Sequence, residues 1–216
     1  MVREHGFPFK PLLLMGGKST RMGEPKHLLV TPSGKTMLQH SFEILNELCP
    51  ASKVYISLAQ ETPIDPFLRS KHDVAECILD VERNCTVASA GPAAGLLAAF
   101  RSDPKATWLV VACDYPLLTT DVLRQLCGSY VPPVTCFKNM DGFYEPLIGI
   151  WSSSALAMLA DNVAAGMDSP TTVIRQLDGL AIAPPQDHED WLLNVNTRKD
   201  WDRAVSLLRQ GYGRCS

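Results

Sequence analysis

The chain has 216 residues, 46% of them hydrophobic and 20% charged, with a formal net charge of −3. That size and balance fit one soluble globular domain and exclude the basic footprint of a nucleic-acid binder. No apolar run approaches the ~18 residues of a membrane span.

The opening MVREHGFPFK lacks the apolar core and small-residue cleavage site of a secretory signal. Residues 1–10 are read as an extension and 11–209 as a single domain. Seven cysteines, at 49, 77, 85, 113, 127, 136 and 215, show neither a CxxC pair nor zinc-ligand spacing. They read as reduced thiols of a cytoplasmic protein.

The predicted elements run as follows. Pro11–Met15 is a buried strand. Thr36–Leu48 carries Met37, Leu38, Phe42, Ile44, Leu45 and Leu48 near helical spacing. Lys53–Leu58 is a strand, and Ile78–Asp80 a short third one. Val81–Gly91 has weak periodicity and is read as mobile or ligand-facing. Ala93–Phe100 is a small-residue helix, Trp108–Ala112 a strongly buried strand, and Asp121–Cys127 a helix capped by Thr119 or Thr120. Strands alternating with helices argue for a parallel sheet covered on both faces.

The second half changes pattern. Val134–Phe137 and Phe143–Trp151 flank the turn signal Asp141-Gly142 and read as an antiparallel pair. Ser152–Ala165 is a helix capped by a serine, and Thr171–Leu177 a shorter one. Gly179–Ala183 is a strand, Trp191–Val195 the last strand, and Arg198–Arg209 the final helix. The expected fold is α/β: three layers, Rossmann-like, mostly parallel, with an antiparallel addition in the second half.

In such a sheet, ligands bind beyond the carboxyl ends of the strands. The loop GGKSTRMGEPK, residues 16–26, leaves the first strand at that edge. Gly16 and Gly17 let backbone N–H groups approach an anion, and Ser19 and Thr20 offer hydroxyls. Arg21 supplies a forked donor and Lys26 a point charge. Together these suit a triphosphate. The loop is neither a Walker loop nor GxGxxG. Asp114, in WLVVACDYPLL, follows a buried strand at the same edge, where one carboxylate can hold Mg²⁺ that takes its other ligands from water and substrate phosphates. SAGPAAG, residues 89–95, allows close approach of a helix to the sheet or of a ligand to the backbone. Glu145 enters an apolar strand in FYEPLIGI, where a charge needs a partner or a function. In LNVNTRKD, Asn194 and Asn196 alternate and so share one face of a strand, while Thr197 suits an N-cap.

GGKSTRMGEPK resembles the GGxSxRMGxxK signature of nucleotidyltransferases that include the MobA-like molybdenum cofactor guanylyltransferases. It matches all seven fixed positions. ACDYP resembles that family's CDxP motif, GPAAG its GPLAGI segment, EPL its acceptor-side segment, and NVNTRKD its NVNTPED segment, with Arg198 in place of the proline. The resemblance implies that Met15, Gly16, Gly17, Ser19, Arg21, Lys26, Asp80, Gly91, Pro92, Gly95 and Asp114 bind the nucleotide. Arg21, Lys26 and Asp114 serve catalysis, Asp114 holds Mg²⁺, and Glu145, Asn194 and Asn196 lie on the acceptor side. The nucleotide half is about 11–130 and the acceptor half about 131–209.

The implied reaction transfers GMP from GTP to the phosphate of molybdopterin, or Mo-molybdopterin, and releases pyrophosphate. Transient contacts with cofactor-synthesis and acceptor enzymes are expected. Pro25 before Lys26 is commoner in the cytidylyltransferases of the same pathway, so CTP is an alternative donor. A sugar phosphate is an alternative acceptor, and a non-catalytic carrier of nucleotide or cofactor is the alternative outside enzymes.

Overall fold

A computed structural model of the protein describes residues 8–15, 25–59, 65–80, 92–185 and 190–211, without the side chains of residues 59, 79, 80 and 92. The apolar run after Phe9 forms β1 (Lys10–Leu14), with Leu12 and Leu13 fully buried. Thr36 caps α1 (Met37–Leu48) through a reciprocal capping box with Gln39. There follow β2 (Val54–Ala59), the short helix α2 (Pro66–Ser70), β3 (Ala75–Asp80), α3 (Pro92–Ser102) and β4 (Trp108–Ala112). Every residue of β4 is buried, as expected of a strand with neighbours on both edges and helices on both faces.

The remaining elements are α4 (Thr120–Gly128), β5 (Val134–Lys138), β6 (Tyr144–Trp151), α5 (Ser153–Ala164), α6 (Pro170–Gln176), β7 (Leu180–Ile182) and α7 (Arg198–Arg209). Thr119 caps α4 and Ser152 caps α5. The turn between β5 and β6 uses Gly142 at φ +82°, a conformation that favours glycine.

The seven strands form one sheet in the order β3-β2-β1-β4-β6-β5-β7. β1 to β4 are mutually parallel, and β6 is antiparallel to both β4 and β5. β7 pairs parallel with β5. The chain steps outward from β1 to β3, then returns across the sheet to β4 on the other side of β1. Right-handed crossovers in opposite directions put α1 and α3 on opposite faces. α4 joins α1 on one face, while α5 and α6 extend the α3 face. The result is the expected three-layer α/β fold, and its topological switch point lies between β1 and β4.

Three local expectations change. Trp191–Val195 is not a sheet strand: 190–192 form a helical turn and 193–196 are irregular. Leu192 and Val195 are buried against two different clusters, so their burial mimics a strand pattern with no ladder to join. Residues 66–70 form a helix where no element was expected; Asp65 caps it, accepting from the Phe67 N–H at 2.7 Å. β3 starts three residues early, at Ala75. It is an edge strand with exposed Glu76 and Cys77, so apolar content understates its length.

Candidate active site

Lys26 lies in a 3₁₀ turn, Lys26–Leu28, that follows Pro25 in extended geometry. Asp114 lies two residues past β4, on the carboxyl edge of the switch point. Asn194 and Asn196 come from the irregular segment before α7. A satellite core joins these distant pieces. Leu29, Met37, Val195, Trp201 and Ala204 bury one another, so the Lys26 turn, the start of α1, the asparagine segment and α7 are held as one body. The Val195 N–H then donates to the Asp114 carbonyl at 2.9 Å and ties that body to the end of β4.

The side chains meet accordingly. Lys26 Nζ donates to Asn196 Oδ1 at 2.7 Å and approaches Asp114 Oδ2 at 3.4 Å. The two residues of the shorter contact are 170 positions apart in sequence. Asp114 is the costly member. Burial raises its pKa above the usual carboxylate range, and the Lys26 ammonium opposes the shift. Its Oδ1 is buried with no hydrogen-bond partner among the described residues. A buried anionic oxygen with spare acceptor capacity suits a hard divalent cation. Among the described residues no group of three or more His, Cys, Asp or Glu could hold a metal. A cation on Asp114 would leave coordination positions for water and substrate phosphates.

A second group adjoins the first. The Tyr115 hydroxyl donates to Glu145 Oε2 at 2.7 Å and accepts from Asn194 Nδ2 at 3.2 Å. Glu145 Oε1 accepts from Asn139 Nδ2 at 3.1 Å. Because β6 runs against β4, Glu145 near its start lies at the same edge as Asp114. Burial raises the Glu145 pKa, while Tyr115 and Asn139 lower it. Burial and the neighbouring carboxylates push the Tyr115 phenol well above its ordinary value, so it stays protonated.

Of the residues singled out in the sequence, Lys26 contacts both Asp114 and Asn196, and Glu145 and Asn194 join through Tyr115. Met15 is buried at the end of β1, its N–H donating to the Ser57 carbonyl at 3.2 Å. Gly95 is buried at the α3–sheet contact. A Cβ there would come within 2.7 Å of Leu14 Cδ2 and 2.8 Å of Ser57 Oγ, so close packing accounts for the glycine. Pro92 begins α3 and Asp80 ends β3. Gly16, Gly17, Ser19, Thr20, Arg21 and Gly91, the stretch Val81–Gly91, and the Asp80 side chain lie outside what is described.

Cys113, beside Asp114, is a packing residue: burial first, then the Asp114 charge, push its thiol up to about 12. Two residues of the network were not singled out in the sequence. Tyr115 carried a signal, since a buried tyrosine hydroxyl must find a partner. Asn139 carried none beyond being a turn residue.

A family model described as the MobA-like NTP transferase domain matches residues 11–180. The chain is 29% identical to a molybdenum cofactor biosynthesis bifunctional protein of Synechocystis sp., over 90% of this chain and 53% of that protein, so it spans about half of that relative's length. It is also 29% identical to a probable molybdenum cofactor guanylyltransferase of Rhodopirellula baltica, over 89% of this chain and 90% of the other. The fold is similar to the crystal structure of molybdopterin-guanine dinucleotide biosynthesis protein A from Archaeoglobus fulgidus. That match has a TM-score of 0.69 at 22% identity, over 94% of this chain and 100% of that one. With its switch-point carboxylate and lysine at the sheet's carboxyl edge, the chain belongs to the MobA-like NTP transferase family and is a nucleotidyltransferase.

Proposed function

We propose that the protein transfers GMP from GTP to the phosphate of molybdopterin, free or carrying molybdenum, with Mg²⁺, in molybdenum cofactor biosynthesis. The observation that carries this reading is the Lys26–Asp114–Asn196 cluster at the switch point, with Asp114 Oδ1 left unpartnered. The names of the relatives supply the guanylyl group and the acceptor.

An oxygen of the acceptor phosphate bonds to the α-phosphorus of GTP as the bond to the bridging oxygen breaks, and pyrophosphate departs with that oxygen. A phosphate monoester is already ionised at neutral pH, so the step asks for position and charge stabilisation more than for a strong base. Asp114 would hold the Mg²⁺, which draws charge from the triphosphate when bound. Lys26 is held by Asn196 and Asp114 before any substrate arrives, so its charge is already oriented for the phosphates. Arg21 adds a forked donor to the triphosphate. In this reading Glu145, Asn194 and Asn196 serve the acceptor, with nucleotide binding assigned to about 11–130 and acceptor binding to about 131–209.

Thermal stability with Mg²⁺ and each of GTP, CTP, ATP and UTP tests the donor. GTP at ~100 times its Kd should add about 2.7 kcal/mol, with the other three adding less. A preference for CTP would give weight to Pro25 and move the reaction to cytidylyl transfer. No response to any nucleotide would contradict the site assignment.

A further inference from the structure

We infer that Tyr115 and Glu145 are positioning residues that set which end of the Asn194 amide is offered to the acceptor substrate. This rests on the proposed acceptor side of the reaction. An amide carries a donor at one end and an acceptor at the other, so its orientation decides what it recognises. Here every orientation follows from a backbone group. The Phe143 N–H donates to Asn139 Oδ1 at 3.0 Å, which commits the Asn139 Nδ2 to donate to Glu145 Oε1. Glu145, as a carboxylate, can only accept. Tyr115 therefore gives its single proton to Glu145 Oε2 and has only a lone pair left for Asn194. Asn194 must present Nδ2 to it. Its Oδ1 turns away from Tyr115, buried and unpartnered among the described residues. The segment bearing it is fastened to Asp114 by the Val195 N–H.

A directed chain of hydrogen bonds thus runs from the β5–β6 turn to Asn194. It leaves an oriented acceptor atom, covered in the substrate-free protein, with which an N–H or O–H donor of the acceptor substrate would pair as it binds. A residue that merely filled space at Glu145 would be replaced by glutamine without effect. The directed chain predicts otherwise. In Glu145→Gln the new amide oxygen accepts from Asn139, so its nitrogen donates to Tyr115. The Tyr115 proton must then go to Asn194, the Asn194 amide turns over, and it offers Nδ2 where Oδ1 had been. Adding Asn194→Asp to that variant restores an acceptor oxygen at both ends of the side chain.

The experiment has two readouts. In the substrate-free protein, the side-chain amide resonances of Asn194 should shift, and exchange faster with water, in both Tyr115→Phe and Glu145→Gln. In steady-state kinetics with GTP and molybdopterin, Glu145→Gln should raise the acceptor KM about 10-fold, the loss of one oriented hydrogen bond. The KM for GTP should stay within about twofold. Glu145→Gln/Asn194→Asp should recover most of the loss, while Asn194→Asp alone, with two carboxylates competing for one proton, should not. Asn194 resonances that do not respond to either variant would overturn the inference. So would a Glu145→Gln enzyme with wild-type acceptor KM, or a double variant no better than the single. A wild-type protein inactive on molybdopterin would refute the proposed acceptor, and the resonance shifts would still decide the hydrogen-bond chain.

Discussion

At Asp114 the fold keeps a carboxylate whose charged form is disfavoured by burial and only partly offset by Lys26. Such a group costs stability and persists where its charge is used. The neutral isostere separates the two effects. Asp114→Asn should lower turnover by about 10²–10³-fold, as for loss of one preorganised charge-stabilising group. Its melting temperature should match or exceed that of the wild type, because a desolvated charge is removed and Lys26 keeps Asn196. A large drop in melting temperature would show that the Lys26–Asp114 pair holds the fold instead.

His40 gives the pH dependence. Its Nε2–H donates to the Leu118 carbonyl at 2.9 Å, and burial holds its pKa below 6.5, the Leu118 bond and Glu43 opposing. A lowered pKa in the folded state means the unfolded chain binds more protons below about pH 6.5. The His40 contribution is therefore complete above that pH and is lost as pH falls toward the folded value. Thermal melts from pH 7.5 to 5 should show falling stability, and His40→Gln should flatten part of that slope. An unchanged slope would assign the dependence to other groups.

Lys26 and Asp114 were legible in the sequence because their residue types suit phosphate and metal at a strand's carboxyl edge, whereas Asn196 was singled out through the NVNT resemblance and a strand that the structure does not form. Tyr115 signalled only that its hydroxyl needs a partner and Asn139 only a turn; which atoms they pair with depends on one proton and one turn N–H that no spacing encodes.

Single substitutions test how two elements, α3 and α7, are held. Gly95 lets α3 lie against β1 and β2. Gly95→Ala should destabilise by about 1–3 kcal/mol through overpacking, outweighing a helix-propensity gain of about 1 kcal/mol. A rise in melting temperature would show instead that Leu14 and Ser57 can yield. At the other end, Thr197 and Asp200 form a reciprocal capping box at the start of α7, and Asp200 Oδ2 also accepts from the Asn196 N–H at 3.0 Å. Thr197→Ala should cost about 1 kcal/mol, roughly 2–4 °C in a chain of this size. Activity should fall as well, since the cap fixes Asn196, and Thr197→Ser should keep both. The boundaries of α7 and β4 were read correctly because a cap or a continuous apolar run marks them. Trp191–Val195 was misread because burial of Leu192 and Val195 against two different clusters looks like a strand in one dimension.

Over the whole molecule, strand order does what no single element does. The return from β3 to β4 creates the crevice beside β1, and the reversed strand β6 brings Glu145 to the same edge. The satellite core closes the arrangement by joining Lys26 to a segment near the chain's end. The layered α/β class and its parallel first half followed from alternating strands and helices, as did the antiparallel β5–β6 pair from its turn signal. The parallel return of β7 and the satellite core did not, because both are contacts between distant segments.

The most direct test of the proposed function mixes the purified protein with molybdopterin, Mg²⁺ and either GTP or CTP, and follows pyrophosphate release and the mass of the pterin product. The reading predicts stoichiometric pyrophosphate and a guanylylated pterin with GTP, lost in Asp114→Ala. Release only with CTP, or no release with either nucleotide, would contradict it.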